Sequence, residues 1–132
     1  MIEIQLKIVG ATLIALGLVH VVFPKRFNWK EELRSLSIIN REMMYVHTFF
    51  IALTLVLMGV LCLTSATELT QTTFGKRISL GLGLFWFIRL YIQFFVYSPE
   101  NWKGKGFETM VHIVFTIFWT YLSVLFTLAY LV

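Results

Sequence analysis

Cys62 is the only cysteine in 132 residues, so the chain can form no internal disulfide and has no CxxC pair, which excludes dithiol chemistry of the quinone-reducing kind. Charge is also scarce. Asp, Glu, Lys and Arg make up 14% of the chain, against about 25% in soluble proteins. Too little sequence lies outside the apolar runs for a soluble catalytic module. Short-period repeats and low-complexity tracts are absent. The first apolar run is led by MIEIQLK, which mixes Glu3 with Lys7, and no small-x-small cleavage site follows. That run is therefore expected to be a retained helix and not a signal peptide.

What the chain has in abundance is apolar surface: 58% of residues are hydrophobic and 17% aromatic, with a mean hydropathy of +0.81. These values point to an integral membrane protein with a single domain, 1–132. Four runs are expected to span, at about residues 8–23, 43–64, 78–97 and 111–132. The expected fold is all-α, an up-down four-helix transmembrane bundle. Pro24 is expected to stop the first span. A short amphipathic interfacial helix, Asn28 to Glu42, is expected between spans one and two, with Asn28 and Glu31 as its capping pair and Trp29, Leu33, Leu36 and Ile39 or Asn40 near one face. Ser65 and Glu68 have capping-box spacing in the second connection, and Gly75 is expected to end that turn.

The formal charge is +4, which in a membrane chain reflects the positive-inside bias and anionic headgroups, so no nucleic-acid partner is expected. Seven basic residues (Lys25, Arg26, Lys30, Arg34, Arg41, Lys103, Lys105) fall in the first and third connections, against three (Lys7, Lys76, Arg77) on the other side. The expected location is the bacterial inner membrane, with both termini outside the cytoplasm.

The stretch Arg41 to Cys62 enters the membrane with charge and His47, and leaves it purely apolar. With alternating span direction, His20, His47 and His112 fall at one depth, bordered by Glu42 and Glu108. Arg89 lies deeper on the third span, with Gln93 four residues on and so on the same face. An ionisable side chain in a span is expected to face inward and to find a partner. The reading is a polar pocket in the cytoplasmic half of the bundle. His47, His112, His20 and Glu108 are its candidate metal or haem ligands, with Glu108 either a ligand or a carboxylate orienting His112. Arg89, Gln93, Tyr45 and Trp86 are the candidate cofactor-binding residues. Arg89 has two open readings: an internal pair with a Glu or backbone carbonyls, or a counter-ion for a haem propionate, a carboxylate or a lipid phosphate. Phe49, Phe50, Trp86, Tyr91, Phe94, Phe95 and Trp119 are candidate walls. Gly10, Ala11, Gly59, Gly81 and Gly83 would let the helices close tightly at the opposite end. Glu108, His112, Thr116, Thr120, Ser123 and Thr127 recur at helical spacing and make a stripe expected to face inward.

At GLVHVVFP, where the first span ends in a polar residue and a proline, the chain resembles the DoxX-like group of small bacterial four-helix membrane proteins. The four-span layout is similar too. The resemblance implies quinone-linked oxidation or other small-molecule chemistry. The expected function is binding of a metal, haem or anionic, quinone-like small molecule in redox-type chemistry. The alternative is a non-catalytic subunit of a membrane complex, or a carrier of a small ligand or protons. The expected partners are the lipid bilayer, such a ligand, and further copies or subunits.

Overall fold

The computed structural model describes residues 1–132 and is all-helical, with no strands. Four helical segments are long and apolar enough to cross a membrane: Ile2–Arg26, Ile38–Thr64, Thr73–Phe95 and Gly106–Leu131. The shortest has 23 residues, about 34 Å at 1.5 Å per residue, and so covers a hydrocarbon core of about 30 Å. Each begins about five residues before the apolar run that announced it. Hydropathy marks where the bilayer demands apolar surface, whereas a helix starts where something satisfies its first N–H groups. Ser37 does this for α4 (Ile38–Thr64) by accepting from the Asn40 N–H at 3.4 Å. Thr72 does it for α6 (Thr73–Phe95), accepting from the Gly75 N–H at 2.9 Å.

Pro24 does not stop the first span. Helix α1 (Ile2–Val19) tightens into a 3-10 turn at His20–Val22 and continues as α2 (Phe23–Arg26), with Pro24 in its first turn. A missing N–H costs little there, because first-turn donors have no intrahelical acceptor. The expected amphipathic helix is likewise shorter. Only α3 (Trp29–Glu32) forms, and α4 already starts at Ile38. Asn28 takes a left-handed conformation at φ 53° and makes no side-chain cap bond, so the pairing with Glu31 is not made. Asparagine tolerates that region better than other non-glycine residues. Trp29 is buried while Lys30, Glu31 and Glu32 are exposed.

The chain divides into two compact units, one of Leu6–Ala66 and one of Met1–Gln5 with Thr67–Val132. In the Leu6–Ala66 unit the buried positions of α1 (Leu6, Val9, Gly10, Leu13, Gly17) and of α4 (Leu55, Met58, Gly59, Cys62) follow the helical period. A Cβ on Gly10 would stand 2.6 Å from the Gly59 carbonyl oxygen, one on Gly59 2.5 Å from that of Gly10, and one on Gly17 2.8 Å from that of Ala52. The contacts descend α4 as they ascend α1, so the two helices run antiparallel with backbones nearly touching. Small residues permit that approach. Gly17, seven residues after Gly10 and so on the same face, joins this seam, whereas Ala11, expected there, is exposed.

In the second unit α6 pairs with α7 (Gly106–Leu131), again antiparallel: Gly83 meets Phe126 and Thr127, and Gln93 meets His112. A Cβ on Gly81 would have nothing within 4 Å, so this glycine belongs to no seam. The corner before α6 is closed by α5 (Ala66–Gln71), with the buried Ser79 hydroxyl donating to the Leu69 carbonyl at 2.9 Å. Gly75 passes so close to the Glu68 carbonyl that no side chain fits. Ser65 closes α4, its N–H donating to the Leu61 carbonyl, instead of opening a capping box with Glu68. The Glu3 carboxylate accepts from Thr67 at 3.1 Å, Thr70 at 3.4 Å and Gln71 at 3.0 Å, which ties the start of α1 to α5.

Candidate functional site

Helical spacing puts Trp86, Arg89 and Gln93 along one side of α6, and His112, Thr116 and Trp119 along one side of α7. Where the two helices pair, these residues form a chain of hydrogen bonds. Arg89 Nη1 donates to Gln93 Oε1 at 3.3 Å. A guanidinium has no acceptor, so the amide oxygen must face it and the amide nitrogen must face α7. That nitrogen lies 3.1 Å from His112 Nδ1, 3.3 Å from the His112 carbonyl and 3.4 Å from the Thr116 hydroxyl. Because the amide nitrogen only donates, Nδ1 accepts and the neutral imidazole carries its hydrogen on Nε2. The arginine's orientation thereby sets the histidine's tautomer through one amide. Trp102, delivered by the 3-10 turn Pro99–Asn101, stacks on the His112 ring at 4.3 Å and 20°.

Arg89 itself has no carboxylate. The molecule's one ion pair joins the exposed Arg34 and Glu31 at 3.6 Å, a contact worth about 0 to 1 kcal/mol. The Arg89 guanidinium instead lies over the rings of Trp119 at 5.1 Å and Tyr97 at 5.4 Å. An arginine within a span costs about 2.5 to 3.5 kcal/mol on insertion scales, and each ring face returns about 0.5 to 2 kcal/mol. The rings and the amide therefore make the charge tolerable. They do not saturate it, since of the five N–H donors of a guanidinium only one is used within the protein. Two more donors lie nearby without acceptors: Trp86 Nε1 and Trp119 Nε1 are both buried and unpartnered, on indoles stacked at 4.9 Å and 10°. The cluster is rich in donors and poor in acceptors.

The remaining candidates fall in both units. Glu108 is half-buried in the first turn of α7 and makes no hydrogen bond or ion pair, so it does not orient His112. His20 and Tyr45 belong to the Leu6–Ala66 unit, where both border a cavity of about 170 Å³. His47 is exposed and without a hydrogen bond, in contrast to the inward position expected for it. No three His, Cys, Asp or Glu side chains come together as a group that could hold a metal ion. Of the donor set expected from sequence, His20 and His47 lie in the Leu6–Ala66 unit and His112 and Glu108 in the other, and metal or haem chemistry has no support here. Of the expected aromatic wall, Trp86 and Trp119 are buried, while Phe49, Phe50, Tyr91, Phe94 and Phe95 are exposed. The α7 stripe is only partly inward. Ser123 is buried, Thr116 is half-buried and Thr127, though partly exposed, meets Gly83 of α6, but Thr120 is exposed. Their hydroxyls donate to carbonyls one turn back, Thr120 to Thr116 at 2.8 Å and Thr127 to Ser123 at 2.7 Å. A hydroxyl satisfied on its own helix has no need of an inward position.

Sequence reasoning missed Tyr97 and Trp102. Their only linear signal is a place among span-end aromatics, which interfacial preference explains equally well. No protein-family model, curated protein or solved structure matches the chain.

Proposed function

We propose that this is an inner-membrane protein that binds the anionic group of a small amphiphilic molecule at Arg89, with Gln93 and His112 as the polar relay behind it. The observation that carries the reading is that Arg89 sits in an apolar helix without an acidic partner and with four N–H donors to spare. A carboxylate or phosphate would take a bidentate bond from such a fork, while the apolar, aromatic surroundings of Arg89, with Tyr97 beside it, favour an apolar body on the ligand. A quinone-like molecule with an acidic substituent meets both demands. The seven-to-three split of basic residues supports an up-down arrangement with both termini outside and the connections around Lys30 and Lys103 in the cytoplasm.

A brominated probe tests the site, since bromine quenches indole emission on contact. In purified full-length protein, 11-bromoundecanoate should quench tryptophan fluorescence, and 11-bromoundecanol at the same micellar concentration should quench it far less. Arg89→Gln should weaken the carboxylate by about tenfold or more, as expected for losing a hydrogen bond to a charged group, and Lys30→Ala should leave it unchanged. Equal quenching by acid and alcohol, or an undiminished response in Arg89→Gln, would exclude the reading. For orientation, cysteines at Lys30 and Thr72 should react from opposite sides with an impermeant thiol reagent, and labelling of Lys30→Cys from outside intact cells would reverse it.

A second reading, that of a subunit in a larger assembly, draws on His47. An exposed imidazole within a span is poorly suited to lipid, and a neighbouring chain would cover it. Site-specific photocrosslinking from position 47 should then yield a protein adduct, whereas lipid adducts alone would remove this reading.

A further inference from the structure

The Leu6–Ala66 unit holds a cavity of about 170 Å³, bordered by His20, Val21, Pro24, Trp29, Tyr45, Thr48, Phe49 and Ala52. It does not involve Arg89, and three of its features together define an occupant. The first is size, since a dry cavity of about 150 Å³ accepts one benzene ring, and this one offers space for a ring with one small substituent. The second is the walls, which are mainly alkyl and aromatic. Trp29 stands edge-on to Tyr45 at 5.3 Å and 81°.

The third feature is the chemistry of His20. Its Nδ1 lies 2.8 Å from the Leu16 carbonyl oxygen. A carbonyl only accepts, so Nδ1 carries the hydrogen and Nε2 of the neutral ring is left as an unused acceptor. Close by, the Tyr45 and Thr48 hydroxyls are not spent on the helix, unlike those of Thr54 and Thr64 farther along α4, which donate to the Phe50 and Val60 carbonyls at 2.8 Å. A small, mainly apolar cleft, open on the side of the exposed Val21 and Phe49 and carrying a fixed acceptor, suits one ring bearing one donor. We propose that this cavity is a binding site for a single-ring phenol, whose O–H donates to His20 Nε2 and whose ring packs between Trp29, Tyr45 and Phe49. An acyl chain would fill the space without using the acceptor, and water would use the acceptor without filling the space.

Phenol and toluene, nearly identical in shape and different in the hydroxyl, test this directly. Full-length protein with ¹⁵N-labelled histidine is titrated in detergent micelles with each, compared at equal concentration in the micelle phase, and the His20 signals are assigned by their loss in His20→Gln. Phenol should shift His20 Nε2 and leave His47 and His112 in place, with half-saturation about tenfold below that of toluene, the size of one net hydrogen bond. Ala52→Phe should fill the cleft and abolish the shift. Equal saturation by phenol and toluene would make the cleft an apolar slot of acyl-chain type and overturn the proposal. Phenol leaving His20 unmoved, or shifting it undiminished in Ala52→Phe, would overturn it too. The phenol and toluene comparison on the unmodified chain decides even if Ala52→Phe does not fold.

Discussion

The two units of this chain hold their helices together by opposite means. In Leu6–Ala66, α1 and α4 come within near-contact of each other's backbone at Gly10, Gly17 and Gly59, with the Ile14, Val56 and Leu63 side chains packed against the same glycines. In the other unit α6 and α7 are joined by side chains: the relay from Arg89 through Gln93 to His112, and the stacked indoles of Trp86 and Trp119. The first kind of seam tolerates no added volume, and the second depends also on its hydrogen bonds. Within lipid neither seam can rely on a hydrophobic driving force between helices, so close packing and polar contacts must supply the association.

Gly59→Leu should break this contrast most severely. Its Cβ alone would lie 2.5 Å from the Gly10 carbonyl oxygen, and backbone cannot yield as a side chain does. A loss of about 3 kcal/mol or more is expected, read as a collapse of the unfolding midpoint in detergent. The same change at Gly81, which has no neighbour within 4 Å, should move the midpoint by only about 0.5 kcal/mol.

Next comes Gln93→Leu, which adds no bulk but removes the amide between Arg89 and His112. Leaving both groups without their partner should cost about 1 to 3 kcal/mol and release His112 from its tautomer, visible as exchange between Nδ1–H and Nε2–H signals in ¹⁵N spectra. An unchanged single tautomer in Gln93→Leu would show that the relay does not set it. Trp86→Phe keeps most of the stacked ring while deleting a buried N–H that has no acceptor, so a change of less than about 1.5 kcal/mol is expected. Trp86→Ala should cost about 3 to 5 kcal/mol by comparison. Thr120→Val should have the smallest effect, within about 0.5 kcal/mol, because the hydroxyl is bonded to its own helix and exposed. A large loss there would mean that the α7 stripe is structural after all.

Some of this is legible from residue order. Spacing places Arg89 and Gln93 on one face, and their hydrogen bond follows from four residues of separation. The glycine seam is visible at Gly10 and Gly59, and Gly17 shares the face of Gly10 at seven-residue spacing, but Ala11 and Gly81 carry the same small-residue mark without taking part. Composition identifies a small residue and cannot identify what it faces. The expected alliance of Glu108 with His112 shows the same limit, since four-residue spacing permits a contact that Gln93 and Trp102 claim instead.

The chain's own order determined its four long apolar helices, the scarcity of charge within them and the isolation of Arg89 among apolar neighbours, because each depends on how many residues of one kind follow one another. The tertiary structure alone decided which imidazole nitrogen carries the hydrogen, which glycines touch, and that His20 with Tyr45 borders one cavity while Arg89 meets Trp119. These depend on how each helix is turned about its axis and how far it slides along its neighbour. Two helices with the same periodic pattern can meet at several rotations and depths, and only packing and the satisfaction of buried polar groups choose among them.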